Sequence, residues 1–352
     1  MIDFFKEHNI NEPIIAVGVS GGADSLALAL MLKDIGKKVV ALTVNHCLRK
    51  EAQSEAEYVA SLMKKYGIEH HVLTWKDGAN VKKGIEEAAR IARYNLMFDF
   101  CKRNKIGILA TAHHMRDQAE TFLLRLQRGS GLFGLCAMMP VSNREGIKLI
   151  RPLLNVMPED LKQYCIEKNI EWIDDPMNDD EDFTRVKIRK FLPVLTKIGI
   201  DERRLAETAK SLQNSRNFIQ KMIDSFITSQ VRWWEDVLVS LSYNRLKELD
   251  VEISKGVLGN LLQKVGGAGY VPEASEIVRV LEIDDFRGCT LGKCELIIAS
   301  KRLWIIPQDE KNELMTKEEW ANFVVQYPQY KNYGLPYKVR RALRQRLDKN
   351  NG

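Results

Sequence analysis

The six residues Ser20-Gly21-Gly22-Ala23-Asp24-Ser25 carry the first readable chemistry of the chain. Two adjacent glycines remove the side chains that would hold an anion off the backbone, and they permit positive φ. Where a helix begins beside such a turn, its unpaired N–H groups and positive dipole end face whatever occupies the turn. A phosphate or pyrophosphate fits that position. The loop is neither G-x-x-x-x-G-K-[ST] nor G-x-G-x-x-G, and no lysine follows the glycines. The second set is His113, Asp117 and Glu120, spaced i, i+4 and i+7, as on one face of a helix. Two carboxylates three residues apart repel each other unless they share a cation. That cation is either Mg²⁺ bound to phosphates or the ammonium group of a substrate. A zinc site through His113 and His114 is disfavoured, because adjacent helical residues point in different directions.

The elements that position these residues read as alternating strands and helices. Ile14 to Val19 is a β-branched apolar run that predicts a buried strand, and Leu26 to Ile35 predicts the helix after the glycine turn, stopping at Gly36. Strands follow over 38–45, 70–75 and 106–112, with helices over 54–66, 84–102 and 115–127. Repeated βα units predict an α/β fold, a parallel sheet with helices on both faces and ligands at the carboxyl ends of its strands. Beyond Gly129-Ser130-Gly131 we expect a short strand over 148–154, a helix over 158–168, a last strand over 170–173 and an acidic loop over 174–182. A basic helix over 183–195 and one long helix over 201–230 complete this stretch. The expected domains are 1–200, catalytic and nucleotide-binding; 201–230, a helical linker; 231–310, a small α+β module; and 311–352, a basic, tyrosine-rich and flexible tail. Within 231–310 the pattern gives helices over 244–265 and 273–281 and a hairpin pairing 295–298 with 302–306. The chain shows no internal repeat.

The chain has 352 residues, enough for two or three domains, with 45% hydrophobic and 28% charged residues, ordinary for a soluble protein. No segment approaches the length of an apolar membrane span, and the first residues lack a secretory signal pattern, so a cytoplasmic protein is expected. The six cysteines form no C-x-x-C pair, which disfavours structural zinc and sulfur transfer. The net charge of +6 is concentrated in the last 22 residues, which hold seven Lys and Arg against Asp348. Global charge therefore argues only weakly for a polyanionic partner, and local clusters must carry that case.

The Ser20–Ser25 loop resembles the S-G-G-x-D-S loop of the PP-loop ATP pyrophosphatase superfamily. The phrase TAHHMRDQAETFLLRLQRGSGLFGL closely resembles the signature of bacterial tRNA(Ile)-lysidine synthetases. Val44-Asn45-His46-Cys47-Leu48-Arg49 is similar to that family's V-N-H-x-L-R element. Glu87-Ala88-Ala89-Arg90 with Arg93-Tyr94 is similar to its next block, and Arg151-Pro152-Leu153-Leu154 to the one after. The resemblance covers about residues 14 to 195. Departures are Asp175-Pro176-Met177-Asn178 for D-x-[ST]-N, Arg185-Val186-Lys187-Ile188-Arg189 for R-N-x-I-R, and Ala137 where glycine is usual. The last C-terminal domain that reads the tRNA acceptor end in longer members is not recognisable, and the basic tail stands in its place.

The resemblance implies a two-step reaction using ATP and Mg²⁺. The C2 oxygen of the wobble cytidine in the isoleucine tRNA with a CAU anticodon is adenylated, and the ε-amino group of free L-lysine then displaces AMP. Ser20, Gly21, Gly22, Ala23, Asp24 and Ser25, with Asn45 and His46, would bind ATP, and Asp24 would place Mg²⁺. His113 would position ATP or the reacting oxygen. Asp117 and Glu120 would orient the lysine and take its proton, either of them as base. Arg90, Arg93, Arg185, Lys187 and Arg189 would contact tRNA. Oligomeric state is left open between monomer and homodimer. The alternatives are another PP-loop tRNA-modifying adenylating enzyme, a small-molecule amidotransferase, and a non-catalytic RNA-binding protein that keeps the fold.

Overall fold

The computed structural model describes residues 1–352 except 47–51, 77–84, 145, 175–183, 268–271, 309–314, 332 and 351–352. Cys47-Leu48-Arg49 of the third motif and the departure over 175–178 lie outside the described residues, as does all but the first residue of the expected acidic loop. The chain divides into two compact units, Met1–Asn214 and Ser215–Gly352.

The first unit is built on a six-stranded sheet. Its strands are β1 (Ile14–Gly18), β2 (Lys38–Asn45), β3 (Glu69–Thr74), β4 (Ile108–Ala110), β5 (Val141–Arg144) and β6 (Ile147–Ile150), in the order β3-β2-β1-β4-β6-β5. All pairs are parallel except the β5–β6 hairpin at one edge. The helices are α1 (Ile2–Glu7), α2 (Ala23–Asp34), α3 (Ala52–Lys65), α4 (Ile85–Arg103), α5 (Met115–Gln127), α6 (Leu132–Leu135), α7 (Pro158–Glu167) and α8 (Thr184–Lys197). The first half of α9 (Glu202–Gln230) also belongs to this unit. Ile15, Ala16 and Val17 are fully buried, as continuous apolar runs of a parallel sheet covered on both faces must be. On one face α2 packs with α3 and α7 through Leu26, Leu28, Val59 and Leu161; on the other α4 packs through Tyr94, Met97, Phe98 and Cys101. Each such large side chain contributes about 1.5–3 kcal/mol on burial.

Two expectations change here. Residues 170–173 are not a strand, because the backbone N–H of Ile173 is donated to the Gly21 carbonyl at 3.0 Å instead of to a sheet partner. The 106–112 strand shrinks to three residues, since the chain leaves the sheet at Thr111 to build the site.

In the second unit β7 (Arg232–Trp234), β8 (Leu238–Leu241), β9 (Gly288–Leu291), β10 (Cys294–Ala299) and β11 (Arg302–Pro307) form an antiparallel sheet ordered β7-β8-β11-β10-β9. The expected hairpin is β10–β11, with Glu295 opposite Ile306. Alternation along the strands gives the sheet two apolar faces. Val239, Leu241, Leu303 and Ile305 meet α10 (Tyr243–Lys247), α11 (Val251–Gly266), α12 (Ala274–Glu282) and Ile223 and Ile227 of α9. Trp234, Leu238, Trp304 and Ile306 meet α13 (Lys317–Gln326) and α14 (Tyr337–Asn350). The expected 244–265 helix is thus two helices, broken at Leu249-Asp250, where Asp250 caps α11.

The expectation of a flexible basic tail is corrected by this second face. Phe323, Tyr330, Leu335, Val339 and Leu343 are buried against the two tryptophans. Lys338 and Arg341 both face Glu295, at 2.6 and 3.7 Å, and Arg344 pairs with Glu319 at 2.9 Å. The segment is a structural layer whose charge is partly answered within the unit. Helix α9 is likewise more than a linker, because Leu205 and Ala209 pack with Ala119, Phe122 and Leu192 in the first unit's core. Among the described residues no helix is long and apolar enough to cross a membrane.

Candidate functional site

Strand order reverses at β1, whose neighbours β2 and β4 lead to opposite halves of the sheet. A crevice opens at such a point, outside the carboxyl ends of the strands. The Ser20–Ser25 loop follows β1, Asn45 and His46 end β2, His113 and His114 follow β4, and Arg151 follows β6.

The loop holds its shape by internal hydrogen bonds. Ser25 Oγ donates to the Gly22 carbonyl at 2.9 Å and accepts from the Ser20 N–H at 3.1 Å. Gly21 has φ +91°, and a Cβ there would stand 2.9 Å from Ile173 Cδ1 and 3.2 Å from Val59 Cγ2. Gly22 caps α2 in extended backbone, and its side-chain space is open to 3.6 Å. Asp24 sits in the first turn of α2. Burial raises its carboxyl above the ordinary value, with His114 working the other way and Asp117 adding to the rise.

Helix α5 starts at Met115, as expected, so the shared face does not reach back to His113. His114 is its N-cap, so His113 lies outside the helix and only Asp117 and Glu120 share the turn. His114 Nδ1 accepts from the Asp117 N–H at 3.3 Å, and Asp117 Oδ2 accepts from the His114 N–H at 3.1 Å, a reciprocal cap. His114 Nε2 then faces Asp24 Oδ2 at 3.6 Å, which ties the glycine loop to α5.

The three acid or imidazole candidates have distinct environments. Burial drives His113 down to about 3, with the nearby Asp117 opposing and Arg151, Arg93 and Arg90 reinforcing, so the ring is neutral at physiological pH. His113 Nδ1 is 2.9 Å from Thr111 Oγ1. Burial works to raise Asp117, but the His114 and His113 rings, the His114 N–H and Arg185 outweigh it and hold it below its usual value. Glu120 is fully buried, and burial keeps it above its usual value although Arg189 Nε donates to Oε1 at 2.8 Å.

Three arginines, Arg90, Arg93 and Arg151, lie near His113. Arg90 and Arg93 both lie 5.4 Å from the Tyr94 ring, and burial pushes Arg93 and Arg151 below the ordinary guanidinium value. Arg151 Nη1 donates to the Met139 carbonyl at 2.8 Å. His46 is half-buried, edge-on to Trp75, and lowered by burial and then by Arg93. Asn45 is buried at the end of β2, where its carbonyl accepts from the Trp75 N–H. The proposed tRNA set on α8 divides: Lys187 is exposed, Arg185 is half-buried beside Asp117 and Glu120, and Arg189 is engaged by Glu120.

Buried polar atoms are almost always paired. Among the described residues the unpaired side-chain exceptions are Asp24 Oδ1, His46 Nδ1, Arg93 Nε, Tyr94 Oη, Glu120 Oε2, Thr121 Oγ1 and Arg151 Nε. All belong to the first unit, and electrostatic coupling runs unbroken from His46 through Arg93 and His113 to Asp117 and Asp24. The arrangement suits a ligand that offers anionic groups to the arginines and the glycine loop and a cation to the acids. Sequence reasoning missed His114, Tyr94 and Arg151 as members of the site. Arg151 carries a signal, a lone arginine closing an apolar strand at its carboxyl end; His114 carries only a weak one, since imidazole is not a usual N-cap side chain.

The model of the PP-loop domain matches residues 2–195. The tRNA(Ile)-lysidine synthase of Wolbachia pipientis wMel is 33% identical over 312 residues, covering 86% of this chain and 72% of that protein. That of Zymomonas mobilis subsp. mobilis is 37% identical over 257 residues, covering 72% and 76%. Among solved structures, the U34-tRNA thiolase NcsA from Methanococcus maripaludis superposes with a TM-score of 0.50 at 19% identity, over 57% of this chain and 72% of that one, a likeness of fold. The PP-loop domain match and relatives that match across both units lead to one assignment: the chain belongs to the tRNA(Ile)-lysidine synthase family of PP-loop proteins.

Proposed function

We propose that this protein is an ATP-dependent ligase that joins L-lysine to C2 of the wobble cytidine in the CAU-anticodon isoleucine tRNA, in the cytoplasm, through an adenylated cytidine. The observation that carries the reading is the 3.6 Å approach of His114 to Asp24, which brings the glycine loop beside the acidic helix and supports a shared ligand.

The N–H groups at the start of α2 hold the pyrophosphate that leaves as the cytidine oxygen attacks the α-phosphate. Mg²⁺ fits at Asp24, whose buried Oδ1 has no partner. When bound, that ion would neutralise charge on the departing pyrophosphate. His113, neutral, orients the reacting oxygen by hydrogen bonding and does not act as a cation. The two carboxyls are pushed apart by their surroundings, which divides their roles. Asp117, held low, stays ionised and orients the lysine ammonium; Glu120, held high, accepts the proton that frees the attacking amine. Arg90, Arg93 and Arg151 hold phosphate oxygens of the tRNA or of the adenylate, and Lys187 meets the tRNA backbone. A cytidine in an anticodon loop leaves its stack at little cost.

The test is incubation with ATP, Mg²⁺, labelled lysine and bulk tRNA. Label in RNA together with AMP and pyrophosphate is expected. ADP as product, or cysteine-dependent sulfur uptake, refutes the reading in favour of another nucleotide-using enzyme. tRNA binding without turnover refutes it in favour of an RNA-binding protein.

A further inference from the structure

His114 does more than cap α5. Serine, threonine, aspartate or asparagine satisfies an N-cap with a short side chain. Here an imidazole with a 10% exposed side chain spans two helix starts, with Nδ1 on the Asp117 N–H and Nε2 facing Asp24 Oδ2. Acceptance at Nδ1 assigns the ring hydrogen to Nε2, the atom that looks at Asp24. The start of α5 is fixed independently of the loop. The Met115 N–H donates to the Val156 carbonyl at 2.9 Å, and Arg116 binds Glu159 at 2.6 Å and Glu202 at 3.2 Å. A ring anchored to that frame constrains the carboxylate it faces at 3.6 Å. Asp24 then has one oxygen facing the imidazole and the other, Oδ1, buried without a partner.

We propose that His114 is a positioning residue: it holds Asp24 so that Oδ1 is presented to the magnesium that accompanies ATP, and it sets the span between the glycine loop and α5. The proposal rests on the reading of Asp24 as the magnesium-bearing residue. No proton transfer is assigned to the ring.

Two substitutions separate the ring's tasks. In His114→Asn the amide oxygen takes the place of Nδ1, so the cap survives and the reach to Asp24 is lost. In His114→Gln the longer amide takes the place of Nε2, so the reach survives and the cap is weakened. The readouts are the melting temperature of the ligand-free protein and the calorimetric affinity for α,β-methylene-ATP across a magnesium series, neither of which requires turnover. His114→Asn is expected to melt close to the unsubstituted protein yet need about tenfold more magnesium for the same nucleotide affinity, as second-sphere losses typically produce. His114→Gln is expected to melt lower while keeping the original magnesium dependence. An Asn variant with unchanged magnesium dependence overturns the proposal and leaves His114 as a cap alone. So does a loss of affinity in that variant that is the same at every magnesium concentration. Lysine incorporation by the unsubstituted protein is scored separately, so failure of the lysidine reading and failure of this one give different results.

Discussion

Gly21 and Gly22 stand side by side, yet the structure gives them different reasons to be glycine. At Gly21 the backbone has φ +91°, and an added methyl would meet Ile173 Cδ1 at 2.9 Å. Gly21→Ala therefore combines backbone strain with overlap, about 1–3 kcal/mol. At about 2–4 °C per kcal/mol for a unit of this size, the melting temperature should fall by roughly 4–8 °C for a 2 kcal/mol loss. At Gly22 the backbone is φ −73°, ψ 155°, and the nearest atom to an added methyl is Ser20 Oγ at 3.6 Å, an ordinary contact. Gly22→Ala should leave stability unchanged or raise it by up to about 1 kcal/mol, because alanine restricts the unfolded chain. On the proposed function, that methyl stands at the N-cap of α2, where the phosphate would bind. Melting curves and ATP calorimetry on both variants are the assay. Gly22→Ala should melt like the unsubstituted protein and bind ATP at least tenfold more weakly, about 1.4 kcal/mol. Undiminished ATP binding by a well-folded Gly22→Ala protein would refute the assignment of this loop as the phosphate cradle.

Three further predictions concern the surroundings. Burial holds the Glu120 carboxyl above its ordinary 4.5, so the folded chain keeps that proton more tightly than the unfolded one. Its contribution is complete below that value and lost as pH rises through the folded one, so Glu120→Gln should gain melting temperature relative to the parent as pH rises above the ordinary carboxyl value; a difference flat with pH contradicts this. Ala137 has φ +51°, where glycine is at ease, so Ala137→Gly should stabilise by about 0.5–1 kcal/mol, and a lower melting temperature would show the strain is absent. Leu343 is fully buried beside Trp304, so Leu343→Ala should cost about 2–5 kcal/mol in denaturant titration followed by tryptophan fluorescence. A loss under about 1 kcal/mol would mean that α14 is not part of that core.

The α/β alternation, the glycine loop and the acidic helix were legible because each is written in adjacent residues: an apolar run sets β1, two glycines set the turn, and helix formers set α2. The C-terminal layer was less legible. Tyrosines, prolines and basic residues over 327–346 give a composition like that of a solvated tail, while the buried positions Leu335, Val339 and Leu343 are spaced by four and become apolar contacts only against Trp234 and Trp304. The family's glycine position filled by Ala137 was seen as a departure, and its positive φ gives the physical reason for the preference.

Sequence by itself determined which groups this protein could gather in one site, because residue type and local spacing dictate the donors, acids and turn. Tertiary structure decided how they divide the work. Only folding closes the Gly21 turn against Ile173, buries Glu120 onto Arg189, leaves His113 outside α5, and brings the His114 imidazole to face Asp24. Those are contacts between distant segments, and their burial sets the proton affinities on which the proposed chemistry depends.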